Sequence, residues 1–208
     1  MKAVATVFVV IIVAISVCAA CAEPIQDRST INATIDKAAK PFQFEIRIAK
    51  DDGFIDQIDV FSSSRKKIQS IEFPPDAEMP CASCTVMEFE DLNFDGYNDL
   101  LLLVFWGSGG SIYEPWMYNP TRKLFEKANF DREFANPSVD KKNKVLILSS
   151  HIGCCEGTKS YYLYGNGKFH VFKEEKYFVE NKRDVVVIRQ LVQGAWKVLS
   201  KKYGEYRE

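Results

Sequence analysis

Hydrophobic and polar residues alternate along much of this chain. Residues 42–48, 55–61 and 68–73 place apolar side chains on one side of an extended backbone, which is typical of a strand with one buried face. Polar segments separate these three runs, so they are predicted to form a meander. A further strand is predicted at 86–90, and the continuous apolar run at 100–106 indicates a strand that is buried on both faces.

The second half of the chain continues in the same way. Runs at 116–118 and 124–126 flank a proline-containing turn, and runs at 161–164 and 169–172 flank the sequence Gly-Asn-Gly-Lys, which favours a tight hairpin. Three more strands are predicted at 145–149, 185–191 and 196–199. About ten short strands without a competing helical pattern predict an all-β fold of the propeller-like or sandwich type.

The N-terminal region does not share this alternation. Residues 1–22 form a nearly uninterrupted apolar run that ends in small residues, as a signal peptide does, and a retained membrane anchor is disfavoured because the run is short for a bilayer. Cleavage at an Ala-Cys-Ala site and lipidation of Cys21 in an imperfect lipobox both remain open. A short helix is predicted around 31–39. The predicted organisation is a signal peptide at 1–22, a polar segment at 23–41 and a single β-rich domain at 42–208.

Composition favours a folded protein that does not bind nucleic acid. The 208 residues include 27 Lys and Arg against 28 Asp and Glu, and hydrophobic residues make up 47%. The charge balance argues against a broad nucleic-acid-binding surface, and the hydrophobic share is too high for a disordered chain. No nucleic-acid partner is expected.

The cysteines agree with export. Four of the six lie in the β-rich domain, namely Cys81, Cys84, Cys154 and Cys155. An even number in an oxidising compartment favours two disulfides, and adjacent cysteines bond poorly, so pairings between the two clusters are favoured without a fixed connectivity. The alternatives are a redox Cys-x-x-Cys motif and a zinc site that His151 could join. The redox motif is disfavoured because the Cys81–Cys84 pair does not begin a helix. The zinc site is disfavoured because no spacer separates Cys154 from Cys155.

Residues 91–99 carry the most specific chemistry in the chain. Oxygen-bearing side chains stand at loop positions 1, 3, 5 and 9, glycine stands at position 6, and position 7 offers a backbone carbonyl. The predicted calcium ligands are Asp91, Asn93, Asp95, Tyr97 and Asp99. Leu102 replaces the position-12 Glu of an EF-hand, and a strand follows instead of a helix. A structural calcium ion in an EF-hand-like loop is therefore predicted, with a metal-free acidic turn as the alternative.

Two segments are predicted to be partner-binding loops. The first, at 106–113, is rich in glycine and presents Trp106 and Tyr113, while the second runs from His151 to Tyr161 and could be held rigid by disulfides. Surface loops without function are the alternative. The carboxylate pair at 174–175 is interpreted as solvated charge. No catalytic constellation is visible, so the chain is not expected to be an enzyme.

A family resemblance rests on residues 89–101, the Gly/Ser-rich loop that follows, Tyr118-Asn119-Pro120 and Phe125. This pattern resembles a family of bacterial periplasmic proteins that includes immunity proteins paired with lysozyme-like effectors of type IV secretion systems. The resemblance implies an incomplete β-propeller-like fold, one bound calcium, and inhibition of a peptidoglycan-cleaving glycoside hydrolase by loop insertion. The two cysteine pairs depart from the family pattern.

Three functional hypotheses follow. The leading one is an exported calcium-binding immunity or inhibitor protein of the periplasm or cell envelope, with a lipid anchor if Cys21 is modified. Its partner would be a lysozyme-like peptidoglycan hydrolase. A cell-surface adhesion or glycan-binding module is the alternative, and an exported enzyme is the third hypothesis.

Overall fold

The structure, a computed structural model, describes residues 29–37, 40–48, 55–73, 86–130, 132–153 and 155–204. These residues form fifteen strands in three antiparallel sheets, with no α-helix among them. The predicted all-β meander is confirmed, although the strands are more numerous than the ten or so predicted. No helix in the described part is long and apolar enough to cross a membrane. The predicted signal peptide at 1–22 lies outside the described residues.

The first sheet contains four strands in chain order. They are β1 (Ser29–Ala33), β2 (Phe42–Ile48), β3 (Ile55–Phe61) and β4 (Lys67–Glu72). Strand β1 occupies the start of the segment where a short helix was predicted, so that prediction is wrong for residues 31–33. Ile31 and Ala33 alternate with Asn32 and pair with β2 in antiparallel register, which is the period-two pattern of a strand.

The second sheet is built around a buried central strand. Its strands are β5 (Met87–Glu90), β6 (Asp99–Gly107), β7 (Gly110–Asn119) and β8 (Leu124–Lys127), with β9 (Phe134–Ala135) paired to β7. Residues 100–103 are leucines with at most 7% exposure, which confirms the predicted burial on both faces for this half of the run at 100–106, whereas residues 104 and 105 are half-buried and Trp106 is exposed. Because β6 begins at Asp99, the predicted calcium loop connects β5 directly to β6.

The third sheet contains six strands and ends in long hairpins. Its strands are β10 (Ser138–Asp140), β11 (Val145–Ile152), β12 (Glu156–Gly165), β13 (Lys168–Glu180), β14 (Arg183–Val192) and β15 (Ala195–Tyr203). Asn166 and Gly167, with φ angles of 52° and 76°, form the turn predicted between β12 and β13. Glu174, which was interpreted as solvated, is only 2% exposed in β13, so that interpretation is wrong.

Two hydrophobic clusters join the sheets. The first packs Phe44 of the first sheet against Phe125 of the second, with ring centroids 5.8 Å apart. The second packs residues of the second sheet, such as Leu101, against Leu146 of the third. The loop at 91–99 contributes to both clusters, because Leu92 is buried in the second and Tyr97 packs against the first.

Candidate functional site

The candidate metal loop at 91–99 is folded by hydrogen bonds from its own side chains. Asp91 Oδ1 and Asn93 Oδ1 each accept a hydrogen bond from the backbone amide of Asp95 at 3.1 Å. Asp91 Oδ2 accepts one from the Gly96 amide at 3.0 Å. Gly96 has a φ angle of 93°, a backbone conformation that glycine adopts without strain. The structure thus brings three predicted ligands, those at loop positions 1, 3 and 5, onto one tight turn.

The Asp95 carboxylate fixes the second half of the turn. Its Oδ1 accepts a hydrogen bond from the Tyr97 amide at 2.9 Å, and its Oδ2 accepts one from Asn93 Nδ2 at 2.9 Å. Tyr97 also forms an isolated antiparallel bridge with Asp36, and its ring lies 5.6 Å from that of Tyr118. Position 7 is therefore held against the first hydrophobic cluster.

Asp99, the predicted ligand at loop position 9, is fully buried. Its Oδ1 accepts a hydrogen bond from the Tyr118 amide at 2.8 Å, and its Oδ2 accepts one from the Leu92 amide at 2.9 Å. Burial raises the pKa of Asp99 to about 7; the two amides oppose this shift, and the charges of Asp95 and Asp91 add to it. Each carboxylate oxygen has a second lone pair, so these hydrogen bonds are compatible with metal ligation.

The donor chemistry of the loop fits calcium. Three carboxylates, an amide oxygen and a backbone carbonyl are the kinds of oxygen ligand that this hard cation prefers. Within the described residues, however, no three His, Cys, Asp or Glu side chains converge as a metal-binding group. Calcium ligation by the five loop residues therefore stays a prediction.

The predicted disulfides fall largely outside the described part of the chain. Cys155, in the turn between β11 and β12, is disulfide-bonded. The other three cysteines of the prediction, Cys81, Cys84 and Cys154, lie outside the described residues, so the connectivity stays a prediction.

The first predicted contact loop is mostly strand. The turn between β6 and β7 consists of Ser108 and Gly109, and Trp106 near its tip is 62% exposed. Tyr113 lies within β7 rather than in a loop, and its hydroxyl donates to Glu88 Oε1 at 2.6 Å. Burial and this hydrogen bond to a carboxylate raise the pKa of Tyr113 to about 12. Of the two predicted contact residues, only Trp106 projects at the tip.

The second predicted contact loop is also a hairpin. His151 is exposed near the tip of β11, and its Nδ1 lies 2.5 Å from the hydroxyl of Tyr177. Tyr161 instead lies in the middle of β12, where Lys173 Nζ is 4.3 Å from its ring centroid. Burial raises the pKa of Tyr161 to about 12, and the nearby Glu175 carboxylate adds to the shift. His151 is thus the predicted contact residue that this hairpin places at its tip.

Asn136 clamps the two hairpins together. Its Nδ2 donates to Gly109 O at 3.2 Å and to Ser149 O at 2.9 Å, so one side chain bridges both. Its Oδ1 accepts a hydrogen bond from the Ser111 amide at 2.8 Å. A Cβ at Gly110 would lie 2.1 Å from that same oxygen, so the clamp requires glycine there.

Sequence reasoning missed Asn136 and included Ile152 only as one residue of the predicted contact segment 151–161, without singling it out. Ile152 beside His151 is 73% exposed, and Asn136 supplies the clamp, yet a single isoleucine or asparagine carries no motif. Together, Trp106, His151 and Ile152 form what we call the hairpin-tip surface. The exposed Ile152 could have been found only by knowing that β11 ends in a tight turn.

Comparisons with known proteins show similarity at the level of the fold. No protein-family model matches the chain, and no curated protein matches it significantly. Among solved structures, the chain is similar to one described as "Structure of a Xanthomonas Type IV Secretion System related protein", with a TM-score of 0.59 and 17% identity. The match covers 84% of this chain and 94% of that chain. At this identity the likeness shows a shared fold over nearly the whole length of the Xanthomonas protein.

Proposed function

We propose that this chain is a cell-envelope immunity or inhibitor protein that blocks a lysozyme-like peptidoglycan hydrolase. The observation that carries the proposal is the fold shared with a protein related to a type IV secretion system. The resemblance of residues 89–101 to periplasmic immunity proteins supports the same class on separate grounds, because it rests on sequence. The predicted signal peptide at 1–22 supports location in the periplasm or cell envelope.

The hairpin-tip surface is the proposed inhibitory contact. Each of its two tips carries a large apolar side chain exposed to solvent, Trp106 at 62% and Ile152 at 73%. Enzyme clefts are concave, and tryptophan is among the residues that contribute most at protein interfaces. The clamp formed by Asn136 fixes the tips relative to each other before binding, which reduces the entropy lost on association.

The loop at 91–99 is the proposed site of one structural calcium ion. Its five ligands would be Asp91, Asn93, Asp95, Tyr97 and Asp99. The ion would offset the mutual repulsion of three carboxylates on a short turn. That turn holds Leu92 and Tyr97 in the two hydrophobic clusters, so the ion would stabilise the junction of the sheets rather than contact the partner.

An inhibition assay tests the proposed function. The chain without residues 1–22, with calcium present, should slow peptidoglycan cleavage by a lysozyme-like hydrolase at near-stoichiometric ratio. Trp106→Ala should weaken inhibition by about 30-fold, because an aromatic anchor contributes about 2 kcal/mol at an interface. Tyr203→Ala is the matched control, since Tyr203 is also an exposed aromatic residue but lies on β15.

Two outcomes would contradict this proposal. Absence of inhibition across a panel of lysozyme-like hydrolases would remove the inhibitor role. Equal weakening by Trp106→Ala and Tyr203→Ala would leave the inhibitor role standing but would remove the hairpin-tip surface as its contact.

Calcium binding is tested separately, by thermal unfolding with calcium and with a chelator. At a hundredfold excess over its Kd, calcium should stabilise the folded chain by about 2.7 kcal/mol. Asp95→Ala should abolish this dependence, whereas Asp184→Ala should preserve it, because Asp184 is an exposed carboxylate of β14, a strand that pairs with β13 and β15 in the third sheet. Identical melting curves of the unmodified chain in both buffers would refute the calcium proposal without affecting the inhibition assay.

A further inference from the structure

One face of the third sheet carries polar side chains in cross-strand register. Ser160 of β12 pairs with Glu174 of β13, and Glu174 pairs with Arg189 of β14. Thr158 and Lys176 form the adjacent pair on the same face, two residues along each strand. Strand β12 is one arm of the hairpin whose tip carries Ile152, but the row lies on the strands and not at the tip, since Thr158 pairs with Ser150, two residues before Ile152. The polar row therefore shares a hairpin with the hairpin-tip surface but contains none of its three residues.

A buried carboxylate organises the row. Glu174 Oε1 accepts a hydrogen bond from Arg132 Nη1 at 3.1 Å, and Glu174 Oε2 accepts one from Arg189 Nε at 2.8 Å. Arg189 Nη2 donates to the same Oε2, and Arg132 Nη1 also donates to Ser160 Oγ at 3.2 Å. Glu174 is 2% exposed, and its single negative charge is shared between two guanidinium groups. Both guanidinium groups are thereby held in fixed positions.

A cleft of about 270 Å³ opens over this row. Arg132, Glu133, Ala135 and residues 148–150 of β11 line it together with the row, and most of its surface is polar. The charged side chains that line it are Arg132, Glu133, Glu174, Lys176 and Arg189. Three are cationic and two are acidic, and within the described part of the chain Lys176 forms no ion pair. The cleft has the size of a small metabolite or a peptide terminus, and its lining has one more positive than negative side chain.

We propose that this cleft binds the carboxylate group of a small ligand. Arg189 uses Nε and Nη2 on Glu174, which leaves further guanidinium donors on the same rigid group. Lys176 supplies a second cation, and the hydroxyl of Thr158 adds a neutral donor beside it. A carboxylate can accept a hydrogen bond from each of these three side chains, and the two cations neutralise its charge. Hydrogen bonds between charged groups are stronger than those between neutral groups. The ligand carboxylate could come from a peptide C-terminus or from a sugar acid.

Nuclear magnetic resonance titration of the ¹⁵N-labelled chain tests the proposal and distinguishes the two sources. N-acetyl-alanyl-alanine is compared with its C-terminal amide, and N-acetylmuramic acid is compared with the neutral N-acetylglucosamine. We expect at least one acid, and neither neutral partner, to shift the backbone amides of Ser160 and Lys176 and the Arg189 Nε–H. A response to one acid alone identifies the source. Lack of response to both acids, or an equal response to the neutral partners, would overturn the proposal.

A matched pair of variants locates the site. Lys176→Gln should weaken binding of the responding acid by about tenfold, because a charge-assisted hydrogen bond contributes roughly that factor. Lys173→Gln removes the same charge from the same strand but on the opposite face, where Lys173 lies over the Tyr161 ring. It should leave the affinity unchanged. Equal weakening by both variants would indicate attraction to overall charge and would also overturn the proposal.

Discussion

Two buried carboxylates, Asp99 and Glu174, are stabilised by opposite means in this fold. They are 0% and 2% exposed, respectively. Asp99 accepts hydrogen bonds from two neutral backbone amides, whereas Glu174 accepts them from two arginine side chains. Burial raises the pKa of Asp99 to about 7. Burial acts in the same direction on Glu174, but Arg189 and Arg132 outweigh it, so that the pKa of Glu174 lies below its ordinary value.

The difference shows that a neighbouring positive charge, and not hydrogen bonding alone, decides whether the pKa of a buried acid lies above or below its ordinary value. Asp99 stands close to Asp91 and Asp95, so its surroundings have an excess of negative charge, which a cation would offset. Glu174 lies instead in a cleft lined by three cations, Arg132, Lys176 and Arg189, with Glu133 as the second acid. The two proposed ligands, calcium and a carboxylate, accordingly have opposite charge.

The largest expected effect is the loss of Glu174. Glu174→Ala should lower the free energy of unfolding by about 3 kcal/mol, because two partly buried guanidinium groups lose their counter-charge. Urea unfolding measures this value. Glu175→Ala is the control, since Glu175 lies on the opposite face in an ion pair with Lys173 and should contribute less than about 1 kcal/mol. Equal losses in the two variants would mean that the arginines do not depend on Glu174.

A smaller effect is expected at Asp99. In calcium-free buffer, Asp99→Ala should lower the free energy of unfolding by about 2 kcal/mol, because the buried amides of Leu92 and Tyr118 lose their acceptors. Asp99→Asn should cost less, since its side-chain oxygen can still accept one of these hydrogen bonds. If Asp99→Ala lowered the free energy of unfolding more than Glu174→Ala does, the prediction that Glu174 contributes more to stability would be wrong.

The sequence singled out the loop that contains Asp99 but did not indicate the Glu174 cluster. The predicted calcium loop is a local motif in which nine consecutive residues have the spacing of an EF-hand-like loop, and local spacing is visible in a sequence, although ligation itself stays a prediction. The Glu174 cluster joins Arg132, Ser160 and Arg189 across three sheet strands and one connecting segment, and no spacing links them. Only the strand register brings these residues together.

The fold shows the same division between local and long-range information. Alternation of apolar residues predicted most strands, and the Gly-Asn-Gly-Lys sequence predicted its hairpin, because both signals are local. The short helix predicted around 31–39 was wrong at residues 31–33, which belong to β1, since pairing with β2 is a long-range contact. The lengths of β13 and β14 were underestimated for a related reason. Their polar stretches, which include Glu174, are extended by cross-strand pairing rather than by burial of an apolar face.

The smallest effect concerns acid pH. The pKa of Glu174 is lowered from its ordinary 4.5, so its ion pairs stabilise the folded state fully above that pH, and this stabilisation is lost as the pH falls through the lower folded-state value. At acid pH the unmodified chain should therefore have a lower free energy of unfolding than at neutral pH. The difference in this free energy between the unmodified chain and Glu174→Gln should also shrink, because protonated Glu and Gln are both neutral. Urea unfolding of both proteins, from neutral pH downward, measures the difference. A difference that stays constant below pH 4.5 would mean that the arginines hold Glu174 by geometry alone, and the contrast with Asp99 would then not be one of charge.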